Sequence, residues 1–147
     1  MLATRYFLFL ILICLTPALQ TNAQIDTSFW FVAPEVWAGH GDNPIYLRFA
    51  SFDSPATVSI SQPANSEFPQ QIVNLNANDA LSVNLTNWLN IIENKPVNQI
   101  LNYGLHITST APITAYYEEA SDNNPDLFSL KGNNALGTEF YTPFQNL

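Results

Sequence analysis

Four acidic residues stand close together in the second half of the chain, and carboxylates are the groups best suited here to hold a metal ion. Glu118, Glu119, Asp122 and Asp126 fall within nine positions, with two asparagines between them. Hard oxygen ligands of this kind suit Ca²⁺. The run lacks the D-x-[DN]-x-[DN]-G order of an EF-hand, and neighbouring residues of a strand point to opposite faces. The pattern leaves two interpretations open: a Ca²⁺ site formed by Glu118, Asp122 and Asp126, or a solvated loop with no cofactor.

The long loop "APEVWAGHGDNP" at positions 33–44 is a second candidate. It is long for a connection between strands, and it holds Trp37, His40 and Asp42 among flexible glycines, a mixture typical of recognition loops. Trp37 either stacks on a sugar or a peptide side chain or folds back as a lid on the core. Tyr116 has the same two interpretations. The predicted ligand-binding residues are therefore Trp37, His40, Asp42 and Tyr116.

The residue types in this sequence give little support for a catalytic function. The chain has two histidines, His40 and His106, and no G-x-S-x-G nucleophile elbow. His106 alternates with Leu105 and Ile107 in "GLHIT", which places it on a solvated or partly buried polar face. The 12 acidic residues offer many carboxylate pairs, but no spacing singles out one pair for glycoside hydrolysis. We therefore expect a protein that is not an enzyme.

The composition favours a folded, acidic domain. Of the 147 residues, 47% are apolar, which is enough for a modest core in a single domain. Only 4 basic residues stand against 12 acidic ones, for a formal net charge of -8. Nucleic acids and anionic membrane surfaces are bound through Lys and Arg, so the charge balance argues against both as partners.

The first residues predict an export signal. Arg5 precedes the apolar run "YFLFLILICL" at positions 6–15, which has the length of a signal-peptide core but is too short to span a membrane. The small residues Thr21 and Ala23 predict cleavage after Ala23, so that 1–23 is a signal peptide and 24–147 the mature domain. Cleavage would remove Cys14, the only cysteine, and with it any disulfide. We expect a secreted or cell-surface protein with no membrane span after cleavage.

Alternation of apolar and polar residues dominates the mature chain. Five segments show it: "SFWFVA" (28–33), "IYLRFASF" (45–52), "TVSISQ" (57–62), "QIVNLN" (71–76) and "LSVNL" (81–85). This period of two, broken by turn formers, predicts short antiparallel strands. The expected fold is all-β, an antiparallel β-sandwich-like module. A propeller-like arrangement is the alternative, because both folds use short strands at similar spacing.

One segment has helical spacing instead. In "LTNWLNIIEN" the apolar residues Leu85, Trp88, Leu89 and Ile92 recur at i, i+3, i+4 and i+7, and Thr86 is placed to cap the first turn. We predict one short helix over about 86–93. Its Trp88 side packs against the β core, because so short a helix is not stable alone.

The second half returns to strands. "YGLHITST" (103–110) and "ITAYYEEA" (113–120) both alternate, and Ala111-Pro112 between them predicts a tight joint and therefore a hairpin. A short strand "LFSLK" (127–131) and a final strand "GTEFYTP" (137–143) follow.

These elements carry a family resemblance that covers nearly the whole mature chain. The run "FWFVAPEVWAGHGDNPIYLRFASFDSPATVSISQPAN" (29–65), the strand pair "TSTAPITAYY" (108–117) and the element "ALGTEFY" (135–141) resemble the IgGFc-binding protein N-terminal domain family, in the form found at the start of large bacterial surface proteins. The resemblance implies an adhesin-like module. It also implies a domain that continues beyond Leu147, with downstream domains as partners. Binding of immunoglobulin Fc belongs to a distant branch of the family and is not carried over.

The expected function is adhesion or recognition at a cell surface, with an extracellular protein or glycan as the ligand. The alternatives are a structural spacer that displays downstream domains without binding a ligand, and a glycan-active enzyme.

Overall fold

The computed structural model describes residues 24–35, 43–96, 98–122, 125–133 and 136–137. Within these ranges the chain forms seven strands and one short 3-10 helix: β1 (Ile25–Phe31), β2 (Ile45–Ser51), β3 (Ala56–Ser61), β4 (Gln71–Leu75), β5 (Ala80–Asn84), the 3-10 helix (Thr86–Ile91), β6 (Leu105–Glu119) and β7 (Asp126–Ser129). The prediction of an all-β fold with one short helix is confirmed.

β6 is the central strand and pairs along both of its edges. On one edge it pairs first with β3 and then with β2; on the other edge it pairs with β1 and then with β7. β4 joins the outside of β3 and β5 the outside of β2, and all these pairings are antiparallel. The sheet therefore has two halves that share β6. The first half contains β4, β3, β1 and the start of β6, and the second half contains β5, β2, β7 and the end of β6.

The predicted hairpin at 103–120 is wrong, because β6 runs without reversal through Ala111 and Pro112. The ladder with β3 ends at Ser109, and the ladder with β2 begins at Ile113. Pro112 falls between the two ladders, where its missing N–H breaks no ladder hydrogen bond on that edge. Ala111-Pro112, which the sequence predicted to be a tight joint, therefore marks the point where β6 changes its neighbouring strand from β3 to β2.

The sheet curls until its outer strands come close together. β4 and β5 lie at opposite ends of the sheet order, yet the turn at 76–79 is all that separates them in sequence. Asn78 adopts the left-handed φ of 55° within this turn. The turn is also tied to the end of β2, because the Ser51 N–H donates to the Asp79 carbonyl at 2.9 Å and the Asn78 N–H to the Phe52 carbonyl at 2.7 Å. The result is a nearly closed, barrel-like sheet.

One hydrophobic core lies inside this curled sheet, and both halves contribute to it. Its fully buried side chains alternate along the strands: Phe29, Ile45, Leu47, Val58, Ile60, Leu105, Ile107, Ile113 and Tyr117. Full burial of one such side chain contributes about 1.5–3 kcal/mol to stability. The two halves thus share a core as the sheets of a sandwich do. The described strands belong to a single sheet rather than to the separate blades of a propeller.

The short helix is tied to the sheet by its side chains. Trp88 is half-buried and meets the Phe68 ring edge-on at 5.7 Å between centroids, so its predicted packing against the core is confirmed. The predicted cap is wrong: Thr86 makes no side-chain capping bond, and its Oγ1 accepts a hydrogen bond from the Ile45 N–H at 3.0 Å instead. No helix in the described ranges is long and apolar enough to cross a membrane.

Candidate functional site

The predicted recognition loop lies outside the described residues. Trp37, His40 and Asp42 all belong to 36–42, which the structure does not describe, and their role stays a prediction. The predicted signal peptide (1–23) and nearly all of the predicted final strand (137–143) lie outside the described residues as well.

Tyr116 and Glu118 lie on the outer face of the second half, beside Arg48 of β2. Arg48 is opposite Tyr116 in the ladder; its Nε donates to Glu118 Oε2, and its Nη1 donates to Ser82 Oγ at 2.7 Å. The hydrogen bond that Arg48 donates to Glu118 raises the pKa of Arg48. The guanidinium also lies over the Tyr46 ring, with its central carbon 5.1 Å from the ring centroid. This cluster is a surface ion pair with aromatic neighbours, and such pairs contribute about 1 kcal/mol or less.

The three predicted calcium ligands are not gathered into a metal site within the described part of the chain. Glu118 is engaged by Arg48, and Asp126 Oδ1 accepts a hydrogen bond from the Leu127 N–H at 2.8 Å. No group of three or more His, Cys, Asp or Glu residues that could hold a metal ion occurs among the described residues. Glu119 is buried whereas Glu118 is half-buried, as expected for opposite faces of one strand. The calcium site at Glu118, Asp122 and Asp126 stays a prediction.

The arrangement best suited to binding is one that the sequence did not single out, formed by Trp30 on β1 and His106 on β6. These residues are direct partners in the ladder. Their rings stack with centroids 4.1 Å apart and planes only 7° from parallel. Trp30 as a residue nevertheless keeps 52% of its surface exposed. One face of each ring is therefore covered by the other, and Trp30 presents its uncovered side to solvent from β1, which among the described strands pairs only with β6.

Hydroxyl groups surround this stack in two rows that run across three strands. One row contains Ser61, His106 and Trp30, and the other contains the ladder partners Ser59, Thr108 and Ser28. We call these six residues the Trp30 face. Strands lie about 4.8 Å apart and residues of one face about 7 Å apart, so the Trp30 face measures roughly 10 by 7 Å.

Hydrogen bonds connect the two rows and fix the imidazole. Ser28 Oγ lies 3.2 Å from His106 Nε2, and Ser61 Oγ donates to the His106 carbonyl at 3.4 Å. At the far end of the second row, Gln70 Nε2 donates to Ser59 Oγ at 2.7 Å. Burial lowers the pKa of His106 below its ordinary value, so the ring is neutral at pH 7. All six side chains of the Trp30 face are therefore uncharged.

The Trp30 face could be found in part from the sequence. Alternation in "SFWFVA" already places Ser28 and Trp30 together on the side opposite Phe29, and alternation in "GLHIT" predicted the polar environment of His106 that the structure confirms. The register between β1 and β6 could not be predicted from the sequence. No local signal indicates that Trp30, rather than another outward residue, lies opposite His106.

The fold and the site define an all-β protein whose described strands form one curled antiparallel sheet with an uncharged outer face that carries the Trp30–His106 stack. No protein-family model and no curated protein matches the chain. Among solved structures, the crystal structure of Thermotoga maritima 1070 is similar, with a TM-score of 0.43 and 14% sequence identity, over 77% of this chain and 95% of that one. The function must therefore be argued from the site itself.

Proposed function

We propose that the mature chain is an exported recognition module that binds an extracellular protein or glycan at a cell surface, and that the Trp30 face is its binding surface. The observation that carries this proposal is the state of Trp30, which is 52% exposed and yet held flat against His106. Tryptophan is highly buried on average and is enriched in binding hot spots. An exposed but immobilised indole therefore suits recognition.

Preorganisation strengthens this argument. Trp30 is ordered by the β1–β6 ladder beneath it and by the stack beside it, so a ligand would not have to restrict its rotamers on binding. A site on strands also keeps its geometry better than a site on a loop. The Trp30 face is thus ready to bind in the conformation that the free protein already has.

The cellular setting of the proposal comes from the sequence. The export signal predicted at 1–23 and the excess of acidic residues, 12 against 4 basic, suit a secreted or surface-exposed module. The resemblance to the IgGFc-binding protein N-terminal domain family adds the role in adhesion. The predicted loop residues Trp37, His40 and Asp42 belong to this proposal as a second contact surface.

Attachment of the full chain to a panel of immobilised extracellular-matrix proteins and cell-surface glycans tests the proposal. Trp30→Ala should lower attachment at least about fivefold, because truncating a hot-spot side chain typically costs more than 1 kcal/mol. Leu127→Ala is the matched control, since Leu127 is 56% exposed on the other half of the sheet. This control should attach as the wild type does.

The same experiment separates the alternatives. Equal attachment by wild type and Trp30→Ala would reject the Trp30 face and favour a structural spacer. Turnover of a panel glycan, abolished by replacing one particular carboxylate, would favour the glycan-active enzyme. Thermal unfolding of each variant shows whether a loss of attachment reflects a loss of fold.

A further inference from the structure

We infer that the ligand of the Trp30 face is an uncharged oligosaccharide. This inference rests on the proposed function and specifies the ligand of that same site. Its starting point is Trp30, whose ring stacks on His106 with one face while the residue stays 52% exposed, so that the other face of the indole is available to a ligand. One face of a pyranose ring carries only C–H groups, and these carry the partial positive charge that the negative face of an aromatic ring attracts.

The hydroxyl groups around the stack are complementary to the hydroxyl groups of a sugar ring. Ser28, Ser59, Ser61 and Thr108 each carry a hydroxyl, which can donate one hydrogen bond and accept others. Sugar hydroxyls have the same double capacity, so each pair can adjust the direction of its hydrogen bond. An extended protein interface usually centres on a buried apolar cluster with Arg at hot spots. The six residues of the Trp30 face include no Arg, and the exposed aliphatic side chains nearest to it, Ile72 opposite Ser59 and Val32 two residues after Trp30, lie at its border rather than at its centre.

Charge decides between neutral and acidic sugars. The Trp30 face contains no Lys or Arg that could pair with a uronic or sialic acid carboxylate, and the chain as a whole has a formal net charge of -8. An anionic sugar would thus be repelled at long range and would find no counter-charge on contact. An uncharged sugar suffers neither penalty.

Size also agrees with this ligand class. The face of roughly 10 by 7 Å covers one or two sugar rings, with one ring against the exposed side of Trp30 and the next beside Ser28 and Thr108 of the second row. So small an area predicts weak binding to a single oligosaccharide. Several copies displayed on one surface would raise the avidity.

Titration of the full chain with oligosaccharides tests the inference. The probes are oligomers of glucose, mannose, galactose and N-acetylglucosamine, together with matched uronic acid oligomers, and binding is followed by ligand-observed NMR. We expect at least one neutral oligomer to bind and its uronic counterpart to bind at least about tenfold more weakly. Trp30→Ala should weaken the neutral oligomer about tenfold, and Trp30→Phe less than that, because a smaller ring retains part of the stack. Leu127→Ala is the control and should bind as the wild type does.

Each outcome bears on the inference. Failure of every neutral oligomer to bind in a Trp30-dependent way overturns it, and so does equal binding of neutral and uronic oligomers. If Trp30→Phe retains the fold and still attaches to an immobilised protein while no oligosaccharide competes, the sugar inference fails and the recognition function stands. If Trp30→Ala does not lower attachment in the earlier experiment, the sugar inference and the proposed role of the Trp30 face both fail.

Discussion

The ring of Phe31 on β1 lies 4.8 Å from the ring of Tyr117, although the ladder partner of Phe31 is Leu105 at the opposite end of β6. In a straight strand the positions of Leu105 and Tyr117 would be roughly 40 Å apart. β6 must therefore coil strongly, and the end of β1 returns to the second half of the sheet. Phe128 on β7 joins the contact, with its ring 5.9 Å from Phe31 and 6.2 Å from Tyr117. These three rings close one end of the curled sheet.

Replacement of Phe31 should therefore loosen the closure of the sheet. Phe31 is half-buried, so Phe31→Ala should cost about 2–3 kcal/mol, somewhat less than the truncation of a fully buried phenylalanine. Urea denaturation measures this loss as a lower midpoint. Phe52→Ala is the matched control, because Phe52 is 41% exposed, and it should cost less than about 1 kcal/mol. Equal losses in the two variants would contradict the closing role of Phe31.

Gly132 should tolerate no side chain. It is buried, and a Cβ at this position would overlap the side chain of Asp26. Gly132→Ala should destabilise the protein by about 1–3 kcal/mol, since the overlap forces β1 and the segment after β7 apart. Gly104→Ala is the matched control, because a Cβ at Gly104 meets no atom within 4 Å. Thermal unfolding should show a lower midpoint for Gly132→Ala and not for Gly104→Ala. Replacement of Asp26 by Gly, which removes the overlapping Cβ as well as the carboxylate, should reduce the effect of Gly132→Ala.

Stability at low pH should depend on Asp26. Partial burial acts to raise the pKa of this carboxyl, but hydrogen bonds outweigh it and hold the pKa below 3.8. The donors are the N–H groups of Asn133, Thr27 and Ser28 and the side-chain amide of Asn133. The folded protein thus resists protonation more than the unfolded chain does. The stabilisation is complete above pH 3.8 and is lost as the pH falls through the lower pKa of the folded state.

Unfolding by urea between pH 2 and 6 measures this dependence. The free energy of unfolding of wild type should fall more steeply below pH 4 than that of Asp26→Asn, whose side chain does not titrate. Parallel curves for the two proteins would show that the Asp26 hydrogen bonds to Asn133 do not persist in solution.

His106 should titrate below its ordinary pKa of 6.5, because burial disfavours the charged ring. Below pH 6.5 the unfolded chain takes up a proton before the folded protein does, so stability should decrease from pH 6.5 down to the folded pKa and then level off. NMR titration of the ring protons measures the midpoint directly, and His106→Gln assigns the signal against His40. Trp30→Ala exposes the ring and should move the midpoint back towards 6.5. A midpoint above 6.5 in wild type would contradict the stacked, half-buried ring.

Local chemistry explains which elements could be predicted. Alternation identified the strands, including "IYLRFASF" and "TVSISQ", because a half-buried strand must alternate wherever its partners lie. Helical spacing located the short helix around Trp88. The position of Pro112 was also informative, but its meaning was not local: a proline can end a strand or lie between two ladders, and the neighbours of β6 decided which.

The sequence by itself determined the all-β class, the outward direction of Trp30 and His106 and the inward direction of the core residues, since all three follow from the period of two. Only the tertiary structure decided that β6 continues past Pro112, that the Thr86 hydroxyl binds the Ile45 N–H, and that Trp30 lies opposite His106. These features depend on the register between strands far apart in the chain. That register is chosen by the packing of the whole core, which no short segment encodes.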